Sequence, residues 1–465
     1  MSETAAPANL FDRAIRRIAS VWRDMAASVS GDEDDSIAAQ MRACLAGRGG
    51  EVSARSRAAK LAETYLGLDF SGRLAFLRTL ASFDSDPEAV DTAYEAVRTA
   101  PDADVRAAAK ARLRHVLEPP RLKLMTQFTT IPDGMKFLVD FRATLMEAAR
   151  KAPDLAPLEA DLRRQLASWF DVGFLELRRI DWTSPAALLE KLVDYEAVHE
   201  IRSWRDLKNR LDSDRRCYAF FHPRMPDEPL IFVEVALVKG LADSVQRLLD
   251  HSAPVQDPKQ ADTAIFYSIS NCQSGLAGIS FGNFLIKRVV ELLTAEFRNL
   301  KAFATLSPVP GYCRWLDEKL TAAEPGLLSD EESVNLAAVA PPGAQESGPQ
   351  ALAAILADKS WVRDGAMQKA LAPVLVRLCA RYLLVESRGR RALDPVAHFH
   401  LTNGARLERI NMLADTSTRG VKEGAALMVN YLYDPARIEE YHEDYAGAGK
   451  RNAATTVRRL ARGWG

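Results

Sequence analysis

Apolar positions over the first ~190 residues recur at helical spacing. Leu10, Ala14, Ile15 and Ile18 form one such set, and Phe137, Leu138, Phe141 and Leu145 another. Breaks fall at Gly47-Arg48-Gly49-Gly50 and at Pro119-Pro120. Ser184-Pro185 reads as an N-cap followed by proline at the first helical position, opening a helix over Ala186 to Tyr195. Near residue 215 the period changes. Cys217 to Phe221 and the β-branched run Leu230 to Val238, joined by the turn Pro223 to Pro229, predict a hairpin. A helix is expected over Leu241 to Leu249 and a strand over Ala264 to Ser270. A glycine-bearing turn, a helix over Phe284 to Phe297 and a strand over Ala302 to Leu306 follow. Residues 325–365 are rich in Ala, Pro, Gly and acidic residues and read as an insertion or loop. Helix resumes over Met367 to Leu383, and a basic helix is expected over Arg451 to Arg462.

At 465 residues the chain is long enough for two or three domains. The pattern predicts an α+β multidomain protein: an all-helical domain at 1–190, then a second domain at 191–465 with an insertion near 325–390. The helical domain carries no catalytic cluster, so scaffolding or oligomerisation is its expected role. Hydrophobic residues make up 48% and charged residues 26%, an ordinary soluble composition. A formal net charge of −1 supplies no field to gather nucleic acid or an anionic membrane. The run Leu230 to Val238 is interrupted by Glu234 and is far short of the ~20 residues that span a bilayer. The N-terminus has no apolar secretory core, and its arginines (Arg13, Arg16, Arg17, Arg23) are interspersed with acids, as in an ordinary first helix. Five scattered cysteines with no Cys-x-x-Cys pair suit free thiols in a reducing compartment, with the cytosol the expected address.

Three stretches carry chemistry. In Ser268-Ile269-Ser270-Asn271-Cys272-Gln273-Ser274-Gly275-Leu276-Ala277-Gly278-Ile279-Ser280-Phe281-Gly282-Asn283, a strand runs through three glycines into a helix. Backbone N–H groups at such a turn can cradle phosphate, although Ser280 and Asn283 would also serve a plain capped turn. The spacing matches neither the Walker nor the dinucleotide pattern. Ser307, at a strand end before Pro308, is held extended, either as a turn serine or as a hydroxyl facing a cleft. It lacks the Gly-x-Ser-x-Gly elbow of hydrolases. His398-Phe399-His400 on a strand would put both rings on one side as metal ligands. No other grouping completes a metal set, so one histidine as an acid–base group is the better reading, with a structural role open for His398.

Taken together, Gln273-x-Gly275-Leu276-x-Gly278-Ile279-x-Phe281-Gly282-x-Phe284-Leu285-Ile286-Lys287-Arg288, Leu306-Ser307-Pro308-Val309-Pro310-Gly311 and Phe399-His400-Leu401-x-Asn403-Gly404-Ala405 resemble the malonyl-CoA decarboxylase family. Asn411 to Asp415 and Gly424 to Tyr431 fit it as well. The resemblance implies a self-associating helical domain, giving a homo-oligomer (dimer or tetramer), and a GNAT-type acyl-CoA-binding catalytic domain with helical insertions. It places the coenzyme A diphosphate on Ala277, Gly278, Ile279, Ser280, Phe281, Gly282 and Asn283, the catalytic serine on Ser307 and the catalytic histidine on His400. Ser268 matches a further serine of the family's active-site region, and Asn403 is the candidate to orient His400. Some members have a glutamate where this chain has Ser280, and the mammalian peroxisomal tail is missing, as in a bacterial-type cytosolic enzyme. The implied substrate is malonyl-CoA. The implied reaction runs through a thioester enolate, Ser307 donating to its oxygen and His400 supplying the proton, with no metal or cofactor, because the thioester is the electron sink. A GNAT-type acyltransferase and a non-catalytic acyl-CoA-binding protein are the alternatives.

Overall fold

A computed structural model describes residues 20–25, 36–46, 50–279 and 284–462. It divides into two compact units. The first comprises the chain up to Glu176, the hairpin tip Phe221–Leu230 and the turn around 273–279; the remainder forms the second.

Helices dominate the first unit, among them Glu51–Gly67, Phe70–Ala81, Pro87–Thr99, Ala103–Val116, Pro120–Phe128, Gly134–Lys151 and Ala156–Trp169. Asp69, Asp86 and Asp102 each accept a main-chain N–H at a helix start, which fixes where those helices begin. Phe137 and Phe141, one turn apart, bring their rings against Tyr65 at 5.7 and 4.8 Å. The expected helical set at Leu10 to Ile18 lies outside the described residues.

Eight strands form a mixed sheet: β1 (Glu176–Ile180), β2 (Arg215–His222), β3 (Met225–Val238), β4 (Thr263–Asn271), β5 (Ala302–Thr305), β6 (Ser307–Pro308), β9 (Arg406–Asn411) and β10 (Met428–Tyr433). Between β6 and β9 a separate two-stranded hairpin pairs β7 (Ser387–Arg388) with β8 (Arg391–Ala392). The main sheet has the order β1-β2-β3-β4-β5-β10-β6, with β9 on β10. The strands β4 and β5 are parallel, from Thr263↔Ala302 to Phe266↔Thr305. Beyond that register β4 continues to Asn271 paired with β3, while Ser307 of β6 pairs with Val429 of β10. The two lines of chain therefore part after Phe266 and Thr305.

Alternation along the strands sorts the side chains onto two faces. Ile265, Tyr267, Ala304, Leu306 and Met428 pack with Val245, Leu248 and Ala414 in a core on one face. The register puts Phe266, Thr305, Ser307, Tyr431 and Tyr433 on the other, whereas a bulge at Tyr267 pairs Ser268 with Glu234 on the core side.

Several expectations need correction. The β2–β3 hairpin turns at 223–224, so Met225 to Pro229 belong to a strand. Only Val245–Leu248 is helical within 241–249, because Arg409 and Asn430 side chains occupy the carbonyls of Leu241 and Ala242. Residues 325–365 hold two capped helices, Asp330–Ala337 and Gly348–Ala357, rather than a loop; Leu336, Leu352 and Ile355 are buried. The helix Ala186–Tyr195 forms as expected, but Pro185 is its N-cap and Ser184 instead accepts from Asp181 N. Only Thr455–Leu460 of the basic end is helical, since Asn452 and Ala454 bond the backbone of Leu407 in β9.

Candidate active site

The site begins with Asp394. Its carboxylate accepts the N–H groups of Val396 and Ala397 at 2.9 Å, and Pro395 follows at the first helical position. These two residues start a helix over Pro395–Thr402 where a strand was expected. On a helix, residues two apart point in different directions. His398 accordingly bonds Tyr445 Oη at 2.8 Å, while His400 lies on the sheet face that carries Ser307. The paired-ligand geometry of a strand His-x-His does not arise. Among the described residues no three His, Cys, Asp or Glu side chains gather as a metal set.

His400 stacks on Tyr431 with ring centroids 4.5 Å apart. Its Nε2 is 2.9 Å from Ser307 Oγ, and its Nδ1 is 2.8 Å from Tyr433 Oη. Ser307 Oγ in turn donates to Thr305 Oγ1 at 2.9 Å, and Thr305 also accepts the N–H of Tyr431 at 3.2 Å. Proton counting on this network assigns the imidazole tautomer. Ser307 spends its single proton on Thr305, so Nε2 must be the donor to Ser307. Nδ1 is then an acceptor and takes the hydroxyl proton of Tyr433. Ser307 and His400 are both buried, and burial alone pushes the imidazole pKa down to about 3. His400 is therefore neutral and carries one proton, directed at Ser307.

Among the described residues the Asn403 side chain makes no hydrogen bond to the His400 ring. Its Nδ2 donates to Phe399 O at 2.7 Å, a bond within its own helix end. Tyr433 holds the ring instead, and the sequence reading missed it because an aromatic in an alternating strand reads as packing.

Ser268 follows a bulge at Tyr267 in β4 and pairs with Glu234 of β3, away from the face that carries Ser307. Ser268 Oγ lies 2.8 Å from each oxygen of Glu196, a residue that no motif marks out. Further along, a cavity of about 210 Å³ is bounded by Pro308 and Val309, next in the chain after Ser307, and by His199, Val396, Asp415 and Arg419. Burial lowers the pKa of His199 to about 4, with Asp415 opposing that shift. Its Nε2 has no partner among the described residues.

The glycine turn belongs to the first unit. Arg142, buried in the helix Gly134–Lys151, donates from Nη1 to Gly275 O at 2.6 Å and to Ala277 O at 3.0 Å. Its Nη2 pairs with Glu159 at 2.7 Å. A Cβ on Gly275 would fall 1.7 Å from Val139 O, so glycine is required there by close approach. Gly278 has φ +75° with open space around it, and Ala277 and Ile279 flank it. Ser280, Phe281, Gly282 and Asn283 lie outside the described residues.

With this geometry in hand, known proteins give a consistent match. The malonyl-CoA decarboxylase C-terminal domain model matches residues 173–464 and the malonyl-CoA decarboxylase N-terminal domain model matches residues 83–170. The chain belongs to the malonyl-CoA decarboxylase family. Mitochondrial malonyl-CoA decarboxylase of Anser anser anser is 40% identical over 336 residues, 70% of this chain and 66% of that protein. The Mus musculus enzyme is 40% identical over 343 residues, 71% and 69% respectively. The matched region thus spans about two-thirds of these relatives' length. The crystal structure of malonyl-CoA decarboxylase from Rhodopseudomonas palustris is 42% identical with a TM-score of 0.82, covering 91% of this chain and 99% of that one. The Agrobacterium vitis structure is 40% identical with a TM-score of 0.83 and the same coverage. Membership agrees with the α+β architecture, in which helices precede a mixed sheet with helical insertions. Among the described residues no helix is long and apolar enough to cross a membrane.

Proposed function

We propose that this chain decarboxylates malonyl-CoA to acetyl-CoA and CO₂, with Ser307 and His400 as the catalytic pair. The observation that carries the reading is the 2.9 Å contact between Ser307 Oγ and Nε2 of a buried, neutral His400 whose far nitrogen is held by Tyr433. Family membership supports the reaction itself.

Breaking the bond between the carboxylate carbon and Cα leaves its electron pair as an enolate on the thioester oxygen, and CO₂ departs. A donor aimed at that oxygen lowers the barrier, by ~2.7–4 kcal/mol for one well-placed group. Ser307 turns its proton from Thr305 to this oxygen, because Thr305 is its one acceptor among the described residues when His400 donates to it. The enolate carbon then takes a proton from Ser307, which His400 replaces from Nε2 while Tyr433 supplies Nδ1. A proton from water restores the relay. The segment Ala277 to Asn283 receives the coenzyme A diphosphate, with Arg142 engaging the carbonyls of Gly275 and Ala277 at its start. The helical part serves self-association, and the five free cysteines favour a reducing compartment such as the cytosol.

The test is turnover of malonyl-CoA with no amine acceptor present. Decarboxylation gives acetyl-CoA under those conditions. An acyltransferase gives none until an acceptor is added, and that result would displace the reading.

A further inference from the structure

The basic end of the chain forms one wall of a cleft that the proposed reaction does not use. The cleft, of about 920 Å³, lies in the second unit between the β7–β8 hairpin and the helix Thr455–Leu460. Ser387 and Arg390 line it from the hairpin, and Arg451, Thr455, Arg458 and Arg462 from the facing wall. The two walls are fixed to each other. Ala392 N donates to Tyr445 Oη at 2.8 Å, and Arg390 Nη1 donates to Gly447 O at 3.3 Å. Gly449 has φ +68°, and a Cβ there would fall 2.9 Å from Arg390 O, so the chain passes the hairpin at close approach. Arg451 is half-buried at the end of the helix Gly365–Leu384. Its Nη1 donates to two carbonyls, Leu383 O at 3.4 Å and Glu386 O at 3.0 Å.

Among the described residues no acid lines the cleft, and Arg390, Arg451, Arg458 and Arg462 have no carboxylate partner. The neighbouring acids are engaged elsewhere. Glu386 pairs with Arg381 at 3.0 Å and Lys319 at 3.6 Å, and Asp444 with Lys450 at 2.7 Å. Over the whole chain acids and bases nearly cancel, 62 against 61, so this surplus is a local arrangement. Four like charges around one concave space repel one another and focus a positive field within it. Burial already lowers the pKa of Arg451 from its ordinary value, and an anion in the cleft would oppose that shift. A guanidinium is a planar fork of donors that matches phosphate oxygens. We propose that this cleft binds a small polyphosphate, either the triphosphate group of a nucleotide or free inorganic polyphosphate. Arg390, Arg458 and Arg462 would grip the anion, with Arg451 behind them and the hydroxyls of Ser387 and Thr455 as further donors. The volume falls in the ~300–1,000 Å³ range of small-molecule sites. Arginines converging from two walls suit a compact anion better than a nucleic-acid strand, which needs a groove that tracks its backbone. The site is independent of the proposed decarboxylation.

The test is titration calorimetry of the full chain with inorganic tripolyphosphate, ATP and orthophosphate, at about 0.15 M salt and without divalent metal. The proteins are wild type, Arg390→Gln, Arg458→Gln and Arg459→Gln. Arg459 is exposed on the same helix but is not part of the lining, so its replacement removes the same charge from outside the cleft. The expected result is one tripolyphosphate per chain, bound at least about tenfold more tightly than orthophosphate. Affinity should fall about tenfold in Arg390→Gln and in Arg458→Gln, and by less than about twofold in Arg459→Gln. ATP binding as tightly as tripolyphosphate or more so identifies a nucleotide, and weaker ATP binding identifies free polyphosphate; both support the site. Absence of saturable binding overturns the proposal, as do equal losses in all three variants, which would mean diffuse attraction. A single strand of about 16 nucleotides that binds more tightly than tripolyphosphate, and is weakened by the same two variants, assigns the cleft to nucleic acid and overturns it too. So does a raised KM for malonyl-CoA in Arg458→Gln, which would make the cleft part of the substrate site. Both cleft arginines are exposed, and an unchanged melting temperature verifies each fold; should Arg390→Gln unfold, Arg458→Gln decides alone.

Discussion

Ser307 has a single proton and two polar neighbours, Thr305 and His400, at the same distance of 2.9 Å. Its usefulness depends on which neighbour donates, and Tyr433 decides that from the far side of the ring. Tyr433→Phe removes the only group that holds Nδ1 among the described residues, so the imidazole loses its tautomer bias. The expected effect is a fall in kcat of about tenfold or more with KM for malonyl-CoA little changed, read from steady-state kinetics. Protonation gives a second prediction. Burial lowers the folded-state pKa of His400 from 6.5 to about 3. Between these values the unfolded chain binds a proton that the folded chain does not, so this group's contribution to stability is intact above pH 6.5 and is lost as pH falls below it. Melting temperature should therefore drop more steeply between pH 7 and 5 in wild type than in His400→Gln. Equal slopes by calorimetry would show that His400 is not buried neutral. Ser307 and His400 were legible as motif residues, whereas Tyr433 and Glu196 were not, because their partners lie 33 and 72 positions away.

The helix Pro395–Thr402 exists because Asp394 caps it and Pro395 can open it. A local reading of His398-Phe399-His400 as a strand overlooked that pair, and the signal was present two residues earlier. Asp394 is fully buried, and burial raises its pKa to about 6 against the bonds that stabilise its charge. Asp394→Ala should destabilise the chain by about 1–2 kcal/mol in denaturant unfolding and lower kcat as well, since the lost cap loosens the element that carries His400. Asp394→Asn, which retains an acceptor for Val396 and Ala397, should keep most of both. The glycine turn behaves differently. Gly275→Ala must displace the backbone at Val139, and a loss of several kcal/mol is expected, ~3 or more as for other severe core strain. Its glycines read as a phosphate cradle from sequence, but the buried Arg142 that holds the turn comes from a helix more than a hundred residues upstream.

For the molecule as a whole, the change from helical to strand-rich character near residue 215 was visible, and the strands β2 to β5 were found within a few residues. Sheet order was not. Nothing local says that β10 lies between β5 and β9, or that β4 and β5 run parallel and part at Phe266 and Thr305. That parting lets Ser307 pair with Val429 of β10, beside the strand that carries Tyr433, so the decisive geometry is a long-range one. The capped helices at 330–357 were masked by their alanine and proline content, although Ser329 and Glu332 form a complete capping box.

The most direct measurement follows CO₂ and acetyl-CoA from malonyl-CoA with the purified chain, acceptor omitted and chelator present, beside a folded His400→Ala variant. One acetyl-CoA per CO₂ from wild type, and a loss of at least about a hundredfold in the variant, is the predicted result. Wild-type turnover that His400→Ala leaves intact, or no turnover by a wild-type chain that still binds coenzyme A, would contradict it.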